Sequence, residues 1–151
     1  MGTIQYMKGN IFNSKADILV CPVNTEGIMG AGLAKQFKKW WEPMYKSYTR
    51  ACYREDLTIG HPWLWNSFSD RQHVLCFPTK EFWSERSDLQ HIESGLKNLV
   101  RHWRSLSLSV GAKSIAFPKL GSGLGGLDWD DVKPIMEKHL RRLNATVEIW
   151  E

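Results

Sequence analysis

Three cysteines in 151 residues are too few and too scattered for a disulfide framework. None of Cys21, Cys52 and Cys76 stands in a CxxC pair that would open a zinc site, so they read as free thiols buried in a core. Long apolar runs are also absent: stretches such as Ile18-Leu19-Val20-Cys21 fall far short of a membrane span. No charged segment followed by an apolar stretch and a cleavage site opens the chain, which points to the cytoplasm. GxxxxGK[ST] is missing, which excludes a P-loop. Repeats, low-complexity tracts and linkers are missing as well. The 151 residues therefore read as one domain, long enough to bury roughly two-thirds of the unfolded surface.

What is present leans toward an anionic partner. Twenty Lys and Arg against sixteen Asp and Glu leave a net charge of +4, an excess that favours a polyanion without demanding one. Basic residues gather at Lys35, Lys38 and Lys39 and at Arg141 and Arg142, which the plainer reading makes solvated helix faces. Eight tryptophans are unusual, and Trp40, Trp41, Trp63, Trp65 and Trp83 lie near the motifs below. Most of these belong to core or rim packing. An exposed aromatic beside Lys or Arg is also what single-stranded nucleic acid stacks upon.

Hydrophobic periodicity lays out alternating strands and helices. Strands are expected over 3–8, 17–22, 62–66, 72–78, 114–118 and 146–150, the third and fourth flanking a turn at Ser69-Asp70. Helices are expected over 31–41, with Leu33, Ala34, Phe37 and Trp40 on one face, and from Pro43 to about Arg54. A long helix capped by Ser87 or Asp88 should run to about Leu106, burying Leu89, Ile92, Leu96, Leu99 and Trp103, and a last one should span 128–143. This alternation implies an α/β sandwich with a largely parallel or mixed sheet. Ligands of such sheets sit beyond the carboxyl ends of the strands, where Gly9-Asn10 and the loops 23–32, 79–83 and 121–126 fall.

Two of those loops are built for phosphate. Four glycines occupy the six positions from Gly121 to Gly126, after an apolar strand and before an acidic helix start. Without Cβ atoms the backbone N–H groups can crowd around an anion, and the helix behind adds its positive dipole end. Gly121, Gly123 and Gly126 match GxGxxG, but only 25 residues follow, too few for a dinucleotide-binding half, and Glu148 falls inside the last strand. Asn24-Thr25-Glu26-Gly27-Ile28-Met29-Gly30-Ala31-Gly32 forms a second such loop at a helix start. Alone it reads equally as a cap with packing glycines. Two such loops facing each other would clamp a diphosphate.

These segments, taken with Lys8-Gly9-Asn10-Ile11 and Phe77-Pro78-Thr79-Lys80, resemble a macrodomain along the whole chain and in the right order. More specifically they resemble the macrodomain of the DarG antitoxins, DNA ADP-ribosyl glycohydrolases that oppose the DarT toxin. The eukaryotic terminal ADP-ribose glycohydrolase shares part of the pattern. The resemblance implies a three-layer α/β/α sandwich around a mixed, mostly parallel sheet and ADP-ribose as ligand, free or carried on single-stranded DNA, through thymidine, or on protein. It implies no cofactor, no metal and no membrane, and a DarT-like toxin as partner. Gly9, Asn10 and Ile11 match the adenine end, Asn24 the distal ribose, and Met29, Gly30 and Gly32 the first phosphate loop. Gly121, Ser122, Gly123, Leu124 and Gly125 match the second, Thr79, beside the catalytic position, is a further ADP-ribose-binding residue, and Leu33 packs beneath the first loop.

By the same resemblance Lys80 is the catalytic residue, whose amine would attack C1″ of the distal ribose or stabilise the departing base. Trp83 and Arg86 become candidate nucleic-acid contacts, through base stacking or loop packing for the first and a phosphate for the second. One departure limits the mechanism. The eukaryotic pattern carries an Asp, proposed as the acid–base partner of its lysine, where this chain has Gly125. Asp128 reads as a helix cap, and Glu26, His73 and Glu81 are the remaining, weaker candidates for a proton donor. The same pocket also fits a protein de-ADP-ribosylase, an O-acetyl-ADP-ribose deacetylase or a non-catalytic ADP-ribose reader.

Overall fold

A computed structural model describes residues 2–68 and 71–151. Its strands are β1 (Thr3–Met7), β2 (Ile18–Asn24), β3 (Trp63–Trp65), β4 (His73–Lys80), β5 (Ser114–Phe117) and β6 (Thr146–Trp150). Its helices are α1 (Gly32–Trp40), α2 (Glu42–Tyr53), α3 (Leu89–Val110) and α4 (Trp129–Leu140). The expected turn at Ser69-Asp70 lies outside the described residues. The sheet order is β1-β6-β5-β2-β4-β3, with every pair parallel except the edge strand β3 against β4.

Side-chain alternation along the central strands builds the three layers. Ile18 and Val20 of β2 and Leu75 and Phe77 of β4 point into a core closed by α3 and α4. Leu19, Cys21 and Val23 with Val74 and Cys76 point into a second core under α1 and α2. Cys21 and Cys76 are register partners, both free and fully buried, and burial pushes both thiols up. Cys52, at the half-buried end of α2, is pushed to about 11 by burial.

Three elements differ from the sequence expectation for identifiable reasons. Trp40 does not join the buried face of α1; it is 64% exposed and stacks on Phe12, ring centroids 5.6 Å apart. α3 continues about a turn past Leu106, to Val110, and there the hydroxyls of Ser105, Ser107 and Ser109 donate to carbonyls three residues back instead of diverting the backbone. The stop is Gly111, in the left-handed region at φ 67°. β4 carries Thr79 and Lys80 inside the strand rather than in a loop.

α3 lies unusually close to β4. A Cβ on Gly95 would stand 2.5 Å from Cζ of the fully buried Phe77. Alanine in mid-helix would ordinarily gain up to about 1 kcal/mol. Here the ring must move inside a packed core, and such overpacking costs about 1–3 kcal/mol. Gly95→Ala is therefore expected to lower the urea midpoint, and a raised midpoint would refute the close approach.

Candidate functional site

The site follows from where β2 and β5 part. They pair only at Ile18↔Ile115 and Leu19↔Ala116; β2 then continues alongside β4 while β5 ends beside β6. Pro22, which has no N–H to donate, falls beyond that pairing. The chain leaves β2 toward β3 and β4 but leaves the adjacent β5 toward β6, in opposite directions across the sheet, so the splayed carboxyl ends frame a topological switch point. A cleft of about 1340 Å³ opens there.

One wall is the loop 25–31. Asn24, 5% exposed, holds it: its Oδ1 accepts the N–H groups of Glu26, Gly27 and Ile28, and its Nδ2 donates to the Ile28 carbonyl at 2.8 Å. The fully buried Tyr48 hydroxyl lies within donating distance of both Asn24 acceptors, its backbone carbonyl at 2.7 Å and its Oδ1 at 2.8 Å, and burial raises the tyrosine's pKa. Much of the hydrogen-bonding capacity expected to face a ribose is thus spent on shaping the loop. α1 begins at the loop's end with no side-chain cap, whereas Asp88 and Asp128 cap α3 and α4. The first-turn N–H groups of Gly32, Leu33 and Ala34 therefore open onto the cleft.

The facing wall is the loop 118–127. Leu127 N–H donates to Gly121 O (2.9 Å), Gly126 N–H to Gly123 O (3.1 Å) and Ser87 N–H to Gly125 O (2.9 Å). Carbonyls are consumed in this way, while the N–H groups of Gly123, Leu124 and Gly125 meet no acceptor among the described residues. The two loops touch across the cleft, since a Cβ on Gly32 would stand 2.8 Å from Leu124 Cδ1.

At one end lie Gly9, at φ 110°, Asn10 and Ile11. Asn10 caps a short helical turn by accepting the Phe12 N–H at 2.9 Å. The register Met7↔Trp150 brings Trp150 beside them, and it lines the cleft there. At the other end is Lys80. A register shift between Val23 and Asn24 places Lys80 opposite Asn24 and skips Thr79, which re-aims the lysine at the rim. Its Nζ donates to the Trp83 carbonyl at 3.2 Å. Thr79 is 3% exposed and accepts the Ser87 hydroxyl at 3.2 Å. Trp83, 62% exposed, lines the mouth, and its N–H donates to Glu26 Oε2 at 3.2 Å. Arg86 Nη2 donates to Gly126 O at 2.7 Å and so ties the loop 81–88 to the second glycine loop.

Gly9, Asn10, Ile11, Asn24, Gly30, Gly32, Thr79, Lys80, Trp83, Arg86 and Gly121 through Gly125 all line this one cleft. Met29 does not: it is 1% exposed and packs into the core under α1 and α2, a correction to the sequence reading. Leu33 both packs there and lines the cleft. His73 is removed as a proton donor, because it opens β4, seven residues and about 23 Å from Lys80 at the strand rise. Sequence reasoning missed Trp150, Glu85 and Lys119, each of which lines the cleft. Only the parallel register could have revealed the first. Among the described residues no three His, Cys, Asp or Glu side chains group as a metal site, and no helix is long and apolar enough to cross a membrane.

The Macro domain family model matches residues 20–136. The chain belongs to the Macro domain family. This Macro domain is similar to a curated DNA ADP-ribosyl glycohydrolase of Thermus aquaticus, 36% identical over 97% of this chain and 40% of the relative. It is also similar in structure to the macrodomain of Thermus aquaticus DarG, with a TM-score of 0.90 and 34% identity over 100% of this chain and 99% of that one. A third likeness is to Thermosipho africanus DarTG in complex with ADP-ribose, with a TM-score of 0.93 and 34% identity over 99% of this chain and 42% of that one. The Macro domain thus spans about 40% of the length of the curated relatives it matches first.

Proposed function

We propose that this chain folds as a single Macro domain over 1–151, binds ADP-ribose along the cleft and hydrolyses the link between ADP-ribose and a base, thymidine, in single-stranded DNA. The observation that carries the reading is the pair of facing glycine loops with an amine at one end. Free N–H groups on both sides suit a diphosphate, Asn10, Ile11 and Trp150 offer an adenosine end, and Lys80 meets the distal ribose. The printed activity of the Thermus aquaticus relative and the ADP-ribose bound by Thermosipho africanus DarTG support it. The biological setting that follows is a cytoplasmic antitoxin acting against a DarT-like toxin, without cofactor or metal.

Hydrolysis adds the water hydroxyl to C1″ and its proton to the base nitrogen. Lys80 acts at C1″, as nucleophile or as a cation for the departing base, and borohydride trapping separates the two because only an imine is reduced to a stable adduct. The test of the function is incubation with ADP-ribosylated single-stranded DNA and ADP-ribosylated protein side by side. Release from DNA is the expected result. Release from protein alone would make the chain a protein de-ADP-ribosylase, and binding of ADP-ribose with no release from either would make it a reader.

Trp83 supplies stacking for the base or its neighbour. Base–aromatic stacking contributes about 1–3 kcal/mol, so Trp83→Ala should raise KM for a modified oligonucleotide about tenfold and leave the Kd for free ADP-ribose within about twofold. Equal losses in both measurements would make the ring a packing element of the loop.

A further inference from the structure

The proposed cleavage needs a group that moves a proton between water and the leaving nitrogen, and the position expected for it holds Gly125. We infer that Glu85 is that group, an inference that rests on the glycohydrolase reading above. Glu85 is the only Asp or Glu lining the cleft among the described residues. The other acids of the rim are committed elsewhere. Asp88 and Asp128 cap α3 and α4 through the N–H groups of Gln90 and Asp130. Glu26 accepts the Trp83 N–H, and neither it nor Glu81 lines the cleft.

One turn carries Glu85 and holds the lysine. Residues 82–85 form a turn closed from both sides: the Glu85 N–H donates to Phe82 O and the Phe82 N–H donates to Glu85 Oε1, both at 3.0 Å. One carboxylate oxygen is thereby anchored, while the other has no hydrogen-bond partner among the described residues. Lys80 Nζ is held by the Trp83 carbonyl of the same turn. Amine and carboxylate are thus both carried by the six-residue segment 80–85 at one end of the cleft. The turn is fastened to the body through Trp83 N–H to Glu26, Ser87 N–H to Gly125 O and Arg86 to Gly126 O. Glu85 is exposed at the cleft mouth, where water reaches it.

The step balances without any further reactant. As the oxygen of one water bonds C1″, the Glu85 carboxylate takes a proton from that water. As the C1″–N bond breaks, its electron pair stays on the base nitrogen, which takes that proton from the Glu85 carboxyl and leaves the carboxylate as it began. One water is consumed, ADP-ribose and the base N–H are formed, and nothing is oxidised.

Glu85→Gln tests this cleanly, because its carbonyl can still accept the Phe82 N–H and keep the turn, while the proton-transfer capacity is gone. General acid–base groups contribute about 10²–10⁴-fold. The expected result on an ADP-ribosylated oligonucleotide is a loss of at least about 100-fold in kcat, with KM and the Kd for ADP-ribose within about threefold. Glu85→Ala should be as slow and should regain about tenfold or more with added formate. A kcat within about threefold of wild type for Glu85→Gln overturns the inference and leaves Glu85 a turn residue. If Lys80→Ala is dead in the same assay the glycohydrolase reading survives that result, whereas a wild type without turnover overturns both.

Discussion

Lys80→Ala should bind ADP-ribose with a Kd within about twofold of wild type and release it from DNA at least about 10³-fold more slowly. The two halves of this expectation come from different parts of the cleft. Affinity is assigned to the backbone N–H groups of the first turn of α1 and of the loop 118–127 and to the Asn10 end, none of which Lys80 supports. Truncating it removes one hydrogen bond, to the Trp83 carbonyl, at the rim of a turn held by several others. The rate rests on the amine at C1″, and a 10³-fold loss corresponds to about 4 kcal/mol of transition-state stabilisation. Lys80→Arg sharpens the test. Guanidinium stays protonated and cannot attack carbon, so a nucleophilic role predicts that arginine is as inactive as alanine. A purely electrostatic role predicts partial activity. Single-turnover release, measured beside calorimetric titration of ADP-ribose, reads both quantities, and a Lys80→Ala variant cleaving at the wild-type rate would end the mechanism.

Gly125→Asp should not create the acid that the eukaryotic pattern carries there; it should break the loop. A Cβ at this position would stand 2.2 Å from Ser87 Oγ and 2.6 Å from the Gly121 carbonyl oxygen. The serine is 6% exposed and bonded to Thr79, and the carbonyl is backbone already accepting the Leu127 N–H, so neither yields cheaply. Overpacking of this kind costs about 1–3 kcal/mol, or about 2–12 °C in Tm for a chain of this size. Displacing the loop also disperses the N–H groups of Gly123 to Gly125, so ADP-ribose affinity should fall by at least about 30-fold. Gly123→Ala is the control, since nothing stands within 4 Å of its Cβ position. Its Tm should stay within about 1 °C. Equal behaviour of the two variants would show that the loop is loose and that Gly125 is not held by packing.

The sequence made the strands, the long helix and both glycine loops legible because each rests on local chemistry. Apolar alternation, Asp128 before a helix and glycine clusters after β-branched runs read the same wherever the chain goes. Trp40 was misassigned because helical spacing gives a face but not how far the neighbouring core extends around it. Met29 was misassigned because residues inside an irregular loop have no periodicity to say which of them turns inward.

What the sequence determined by itself was the order of elements and the two glycine-rich loops at strand ends, carried by residue types at short spacing, while the choice of Lys80 came from the family resemblance of Phe77-Pro78-Thr79-Lys80. Only the tertiary structure decided that Gly32 and Leu124 meet across one cleft, that Trp150 joins Asn10, and that Gly125 has no room for a side chain while Glu85 stands in the cleft. Those are distances between segments as much as 140 residues apart in sequence. They are set by the splay of β2 from β5 and by the bulge opposite Lys80, which no local pattern encodes.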